Sequence, residues 1–335
     1  PAAERATPLA SPGWQSVDWE VDPINGHRFD GPLPEGADVK HPWQVGRLEE
    51  AVHLACGAAL TTATPVRSRA FADSAIDRIV DLFTAPRGVQ WSCAMEVALR
   101  AANVAIALRL LAGHEALEER PEAVLAILRG LVLHLRWVEA NLEDTVAVPN
   151  NHLVADLVGE AVVGALLPRL PGASALARKA LERLEGELFA QTLADGFCFE
   201  GSVAYHRFAT ELFLLAYLCG AGLAAPFSEK ARDRIARMFE ATRELIDGRG
   251  LSPQIGDNDS GRALPFAPRD PQDSAWLLPI GAALFDRGDL RVAEAGPELF
   301  WLLGARGLRA LEALPRGRLP RDSHLRHAGI AVLRS

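Results

Sequence analysis

The sequence predicts an all-α fold in which helices pair along the chain, either stacked as a solenoid or closed into a toroid. Apolar residues recur at spacings of three and four through residues 44–312, as in Leu131, Leu135 and Val138. Clusters of proline and glycine interrupt this periodicity at short intervals and mark helix ends. No strand pattern occurs before residue 328. About ten helices joined by short links are therefore expected.

The chain begins with an irregular arm, residues 1–43, which is rich in Pro, Gly and Asp. Trp14 and Trp19 indicate that this arm is ordered, because two tryptophans in a true linker would be unusual. The helices that follow are expected at residues 44–61, 66–84, 90–112, 121–141, 151–167, 173–194, 203–223, 228–247, 271–286 and 296–312.

The last predicted element is one short strand, Ala328–Arg334, which is β-branched and partly alternating. It has no visible partner in the sequence. We therefore interpret it as the opening of a β domain that continues past Ser335, or as the edge of a β domain that has been removed.

Composition excludes several classes of function. A net charge of −8 over 335 residues leaves no basic footprint for nucleic acid, so a polyanionic ligand must meet a local basic site. No apolar run reaches the roughly 18 residues of a membrane-spanning helix, and no signal peptide is visible. The cysteines lack metal-site spacing and are expected to be buried free thiols: Cys56, Cys93, Cys198 and Cys219.

Two polar segments interrupt the Ala- and Leu-rich helices and contain the candidate catalytic residues. The first is Asn150-Asn151-His152, and the second is Tyr205-His206-Arg207. An amide, an imidazole, a phenol and a guanidinium are the groups needed to remove a proton from the carbon beside a carboxylate. A third segment, Gly256–Arg262, adds acidic residues on a loop.

These segments, in this order on a helical background, resemble the helical domain of the heparinase II/III family of polysaccharide lyases. The resemblance covers nearly the whole chain. The matching segments are Pro149–His152, Asp195–Glu200, Tyr205–Arg207, Ile255–Arg262, Asp38–Lys40 with Trp43 and Arg47, and Trp91 with Glu96 and Arg100. The sequence departs from the family pattern at Asp156, where Glu is usual, and at Gly201, where a polar residue is commoner.

The resemblance implies an incomplete (α/α) toroid followed by an antiparallel β-sandwich, in a periplasmic or secreted protein. It assigns residues 1–43 to an arm packed on the toroid, 44–320 to the catalytic toroid and 321–335 to the start of the sandwich. Family members draw a further catalytic histidine, and sometimes a metal ion, from the sandwich, so no cofactor or metal is expected in this chain. This chain is expected to bind acidic oligosaccharide weakly and to cleave it poorly, while a longer form is active.

The resemblance also implies cleavage of a uronate-containing polysaccharide by β-elimination, with the substrate carboxylate neutralised while the C5 proton leaves. Asn151 is an uncharged donor suited to that carboxylate, and His152 can donate or accept. Tyr205 acts as acid or base, and an ordinary phenol needs a cationic neighbour to ionise. Either Arg207 or His206 is expected to supply that positive charge.

Some of these residues have a structural interpretation beside the functional one. Asn150 is expected to cap the following helix, while Asn151 contacts substrate. Glu200 either forms a salt bridge with Arg207 that orients the helix carrying Tyr205, or takes part in the chemistry.

The remaining candidates have similar alternatives. Asp257 and Asp259 either bind a cation or shape a turn that orients Arg262. Trp43 and Trp91 either stack on sugar rings or lie in the helical core.

Three other functions compete with the lyase. A glycoside hydrolase would use Glu200 and Asp257 as its carboxylate pair. A uronate epimerase would share the proton abstraction and return the proton to the opposite face. A non-catalytic glycan-binding helical domain would place the polar segments on separate surfaces.

Overall fold

The computed structural model describes residues 9–32, 35–85, 87–144, 148–259 and 261–334. These residues hold twelve α-helices and one two-stranded antiparallel sheet. The helices are α1 (Lys40–Gly46), α2 (Glu49–Leu60), α3 (Pro65–Thr84), α4 (Ala94–Leu110), α5 (Glu115–Glu118), α6 (Pro121–Ala140), α7 (Asn151–Leu166), α8 (Ala173–Gln191), α9 (Val203–Gly222), α10 (Glu229–Leu245), α11 (Leu277–Phe285) and α12 (Pro297–Ala313); the strands are β1 (Asp322–Leu325) and β2 (Ile330–Leu333). The predicted all-α class is confirmed. None of these helices combines the length and apolar character needed to cross a bilayer.

The chain divides into two compact units, residues 1–180 and 181–335, with the division inside α8. The domain limits predicted at residues 43 and 320 are a different division, and they stay predictions. Residues 1–8, 33 and 34 of the predicted arm lie outside the described residues.

Helices α4 and α7 form the buried centre of the first unit. Nearly every residue of both is buried, as expected for helices that are apolar on all sides. The two helices pack on each other, while α2 and α6 also pack on α4. A Cβ added at Gly159 would lie 2.6 Å from the carbonyl oxygen of Ala98. Glycine at this position therefore permits the close approach of α7 to α4.

The described part of the N-terminal arm is fastened to α3. The indole of Trp19 is buried, and the Arg78 guanidinium lies 4.9 Å from its ring centre. The backbone N–H of Ser11 donates to Asp77 Oδ1 over 2.9 Å, and that of Val17 donates to Asp81 Oδ2 over 2.8 Å. Side-chain carboxylates thus satisfy backbone amides that have no strand partner.

In the second unit, α9 packs on α10, α10 on α11, and α11 on α12. Serine side chains start two of these helices. Ser202 accepts from the backbone N–H of Tyr205, and Ser228 accepts from that of Ala231. Both are N-caps that satisfy amides left unpaired at a helix start.

The β hairpin lies on α10 of the same unit. Leu325 of β1 joins a buried cluster with Phe197, Val203, Ala241 and Leu245. The backbone amides of the hairpin turn, at His327 and Ala328, donate to one carboxylate oxygen of Asp195 over 2.7 and 3.0 Å.

Several details of the predicted elements were wrong. The helix expected at 44–61 is two helices, α1 and α2, separated at Leu48, whose φ of 58° is left-handed. The helix expected from residue 271 begins only at Leu277. The C-terminal strand has a partner in this chain, because β2 pairs antiparallel with β1. The four cysteines, in contrast, are free and buried as predicted.

Candidate active site

The first polar segment forms the start of α7. The side chain of Asn150 accepts from the backbone N–H of His152 over 3.0 Å, so the predicted helix cap is confirmed. The next residue, Asn151, is the first of the helix and is only 6% exposed. The His152 side chain is 38% exposed. Capping by Asn150 thus leaves Asn151 and His152 in the first helical turn.

Glu143, which the sequence analysis did not identify, orients His152. Its Oε2 lies 2.8 Å from His152 Nδ1. This bond places a ring hydrogen on Nδ1 and fixes the orientation of the ring. Burial opposes ionisation of Glu143, but the bond to His152 outweighs it and holds the pKa of the carboxyl below its ordinary value.

Asp156, one helical turn after His152, lies beneath this pair. It is fully buried, and its Oδ2 accepts from the backbone N–H of Glu143 over 2.9 Å. Burial, and then the carboxylates of Glu143 and Glu160, raise the pKa of Asp156 to about 8. Asp156, where the sequence departs from the family pattern, therefore accepts a hydrogen bond from the backbone of Glu143.

Buried charged side chains on and beside α4, in the same unit, are paired with one another or with His134. Arg47 makes a bidentate bond to Glu96, with both N–O distances at 2.7 Å. Arg100 donates to His134 Nε2 over 2.9 Å, and His134 in turn bonds to the Gly130 carbonyl through Nδ1. Arg47, Glu96 and Arg100, which belong to the matching segments, are all buried.

The two tryptophan candidates are half-buried in this unit. Trp43 donates from its indole nitrogen to the Val89 carbonyl over 2.9 Å. Trp91 lies against Trp137 and the His134 ring, and the guanidinium of Arg87 is 5.0 Å from its ring centre. Each indole has a structural contact, and each keeps an exposed part.

The second polar segment lies in the first turn of α9. The Tyr205 hydroxyl is 3.0 Å from Asp257 Oδ2 and 2.8 Å from Asp259 Oδ2, and it donates to these carboxylates. Burial, and then both acids, raise the pKa of Tyr205 far above its ordinary value. The phenol is therefore held protonated. The expectation of a cationic neighbour that ionises Tyr205 was wrong.

His206 is buried and faces away from this hydroxyl. Its Nδ1 accepts from the Cys198 backbone N–H over 3.3 Å, and its Nε2 lies 3.1 Å from both Met238 O and Thr242 Oγ1. The ring stacks on Phe197 with centres 4.9 Å apart. Burial lowers its pKa to about 4, so the ring is neutral near pH 7 and supplies no charge.

Arg207 is also buried, and it binds a loop. It donates to the carbonyl oxygens of Pro271 and Gly261 over 2.8 and 2.7 Å. Its Nε lies 3.5 Å from Glu211 Oε1, one helical turn further along α9. The predicted ion pair between Glu200 and Arg207 was wrong, because the acid beside Arg207 is Glu211.

Glu211 completes the attachment of this loop to α9. Its Oε2 accepts from the backbone N–H groups of Ala263 and Leu264 over 2.8 and 3.1 Å. Arg262 donates to the Asp270 carbonyl instead of to the loop acids. The acids therefore do not orient Arg262, as had been one interpretation. Instead, Asp257 and Asp259 meet Tyr205.

The structure thus defines two polar clusters. The first, in residues 1–180, is Asn151, His152, Glu143 and Asp156. The second, in residues 181–335, is Tyr205 with Asp257 and Asp259, while His206 and Arg207 are buried supports. That both clusters line one cleft stays a prediction.

The family described as heparinase II/III N-terminus matches residues 70–264, more than half of the chain. The chain therefore belongs to the heparinase II/III family. A comparison with curated proteins finds no match.

Several solved structures are similar to the chain. One is the heparan sulfate lyase HepC from Pedobacter heparinus, with a TM-score of 0.56 and 17% identity, covering 92% of this chain and 43% of that one. Another is a heparinase III, with a TM-score of 0.60 and 14% identity, covering 94% of this chain and 44% of that one. The chain spans less than half the length of these structures. The likeness shows the fold, which is the predicted type of helical toroid domain.

Proposed function

We propose that the protein is a polysaccharide lyase that cleaves a uronate-containing acidic polysaccharide by β-elimination. The observation that carries the proposal is the Tyr205 phenol, held protonated between Asp257 and Asp259. A protonated phenol on a partly exposed helix start is a proton donor for the oxygen that leaves during elimination.

Tyr205 handles both protons in this proposal. The C4–O bond breaks as its oxygen takes the phenol proton, and the C5 proton restores the phenol. The electron pair of the C5–H bond becomes the C4–C5 double bond. Asp257 and Asp259 accept from the hydroxyl and keep it oriented.

Asn151 and His152 neutralise the substrate carboxylate. The Asn151 amide donates without carrying charge, and donors aimed at a developing enolate stabilise it. Glu143 fixes the orientation of the His152 ring through Nδ1, and an imidazolium with its second hydrogen on Nε2 is the form that donates to the substrate carboxylate. The first cluster is then an electrostatic site, and the second is a proton-transfer site.

A panel of uronate polymers tests the reaction class. Sulfated glycosaminoglycan, alginate-like uronate and bacterial exopolysaccharide are incubated with a longer form of the protein that matches the full length of the similar solved structures, and unsaturated uronate is followed by its ultraviolet absorbance. A hydrolase would release reducing ends without this absorbance. An epimerase would exchange the C5 proton with deuterated water without shortening the polymer. Binding with none of these products would leave a glycan-binding domain.

Two variants test the assignments. Tyr205→Phe removes one oxygen and little shape, so elimination should be abolished while oligosaccharide binding is retained. Tyr217→Phe is the matched control, because Tyr217 lies between the rings of Phe227 and Phe285 and should tolerate the change. Asn151→Ala should slow elimination by roughly a hundredfold, as does the loss of one oxyanion donor. Full activity in Tyr205→Phe would overturn the mechanism.

A further inference from the structure

Three potential metal ligands from three different segments of the chain converge beside α7. They are the thiol of Cys93, the carboxylate of Glu143 and Nδ1 of His152, and their ligand atoms all lie within 4.8 Å of one another. Cys93 is the residue before α4, Glu143 follows α6, and His152 is in the first turn of α7. Packing of α4, α6 and α7 thus creates a group that no sequence spacing predicts.

We propose that Cys93, Glu143 and His152 bind a divalent transition-metal ion, Zn²⁺, with a fourth position open to water. Thiolate, imidazole and carboxylate are the three ligand types that zinc takes in proteins. Three protein ligands with one open position are the arrangement found where zinc meets a water molecule or a ligand. Calcium and magnesium, which prefer oxygen, would not use the thiol.

The distances suit a tetrahedral ion. Zinc bonds of about 2.0 Å to nitrogen or oxygen and 2.3 Å to sulfur separate neighbouring ligand atoms by roughly 3.3 to 3.5 Å. In the structure, Glu143 lies 2.8 Å from His152 Nδ1 through Oε2 and 3.7 Å from Cys93 Sγ through Oε1. Because the ligand atoms lie within 4.8 Å of one another, binding of the ion would draw the three side chains together by at most roughly 1.5 Å.

Asp156 orders the surroundings of the three ligands. Asp156 is fully buried, and its Oδ1 has no hydrogen-bond partner among the described residues. Its Oδ2 accepts a hydrogen bond from the backbone N–H of Glu143 and so helps to position this ligand.

One ligand of the site is buried, and the other two are partly exposed to solvent. Cys93 is buried, whereas the side chains of His152 and Glu143 are 38% and 28% exposed. An ion can therefore enter past these two residues and reach the thiol. On binding, the thiol proton passes to solvent, sulfur bonds to the metal, and the ring hydrogen moves from Nδ1 to Nε2. The metal-bound ring then presents an N–H donor.

Cobalt binding tests the proposal without any need for lyase activity. Co²⁺ added to the purified protein should give a thiolate-to-cobalt charge-transfer band in the near ultraviolet, and Zn²⁺ should remove that band by displacement. Calorimetry should give one Zn²⁺ per chain. Cys93→Ser should abolish the band, and Glu143→Gln should weaken Zn²⁺ binding at least tenfold.

Cys56→Ser is the matched control, since Cys56 is a buried free thiol on α2 in the same unit. It should keep both the band and the zinc stoichiometry. Unfolding curves establish that each variant is folded. A band that survives in Cys93→Ser, or the absence of a band in the native protein, would overturn the site, whatever the outcome of the lyase assay.

Discussion

Replacement of His206 by Asn should remove a pH dependence of stability that the buried ring creates. The ring is 1% exposed, stacked on Phe197 and bonded at both nitrogens. Burial lowers its pKa from 6.5 to about 4 in the folded protein. An amide side chain does not titrate, so the variant should lose this contribution while keeping some of the hydrogen bonding.

The sign follows from proton binding. Between pH 6.5 and about 4 the unfolded chain binds a proton at this ring and the folded chain does not. Stability is therefore lost as the pH falls through this window. A pKa difference of this size, at 1.36 kcal/mol per unit, amounts to about 3 kcal/mol by pH 4. At pH 7 and above, the ring is neutral in both states and the contribution to pH dependence vanishes.

Guanidinium unfolding, followed by circular dichroism at a series of pH values, measures the effect. Other groups, including buried His134, also change stability with pH, but they are present in both proteins. The difference between the two curves therefore isolates His206. Lost packing will lower the free energy of unfolding of the variant by an amount that does not depend on pH. The test is therefore how the difference in free energy between the two proteins changes with pH. His53→Asn, on the exposed side of α2, is the control and should leave the curve unchanged.

If the native protein and the His206→Asn variant lose stability in parallel between pH 7 and 4, the neutral buried ring described above is refuted. A difference that grows as the pH rises above 7 would refute it as well, since the sign would be reversed.

Three further changes test other parts of the structure. Asp257→Asn should lower the pKa of Tyr205, because one of its two acids is neutralised; ultraviolet titration against Tyr205→Phe measures this. Asn150→Ala should cost about 1 kcal/mol in urea unfolding, and Asn150→Ser should restore most of it. Arg47→Ala should cost about 3 to 5 kcal/mol, because it leaves Glu96 buried without its partner. A loss below about 1 kcal/mol in chemical unfolding would contradict that pairing.

Helix periodicity and end signals predicted most of the fold. Asn150 before α7 and Ser202 before α9 are local signals that act at their own positions, and both caps are present. The break at Leu48 was missed, although Gly46, the last residue of α1, stands two residues before it. Strand β1 was missed because Asp322–Leu325 lacks β-branched residues.

The candidate sites were predicted less completely, because side-chain partners depend on packing between helices. Nothing in the sequence pairs Glu143 with His152 across nine residues. Two errors could have been avoided from helix geometry alone. Neighbours in a helix point about 100° apart, so His206 could not share the direction of Tyr205. Arg207 and Glu211 are four residues apart, which is the ordinary spacing for an ion pair on one helix.

The hairpin of β1 and β2 has a consequence for shortening the chain. Backbone amides of its turn donate to the carboxylate of Asp195. Leu325 packs on Phe197 and Val203. Arg334 donates to carbonyl oxygens at the end of α10. A truncation before residue 322 would remove these contacts from the loop that leads into α9. Trimming the last fourteen residues should therefore loosen the helix that carries Tyr205, and crystallisation or fusion designs should keep them.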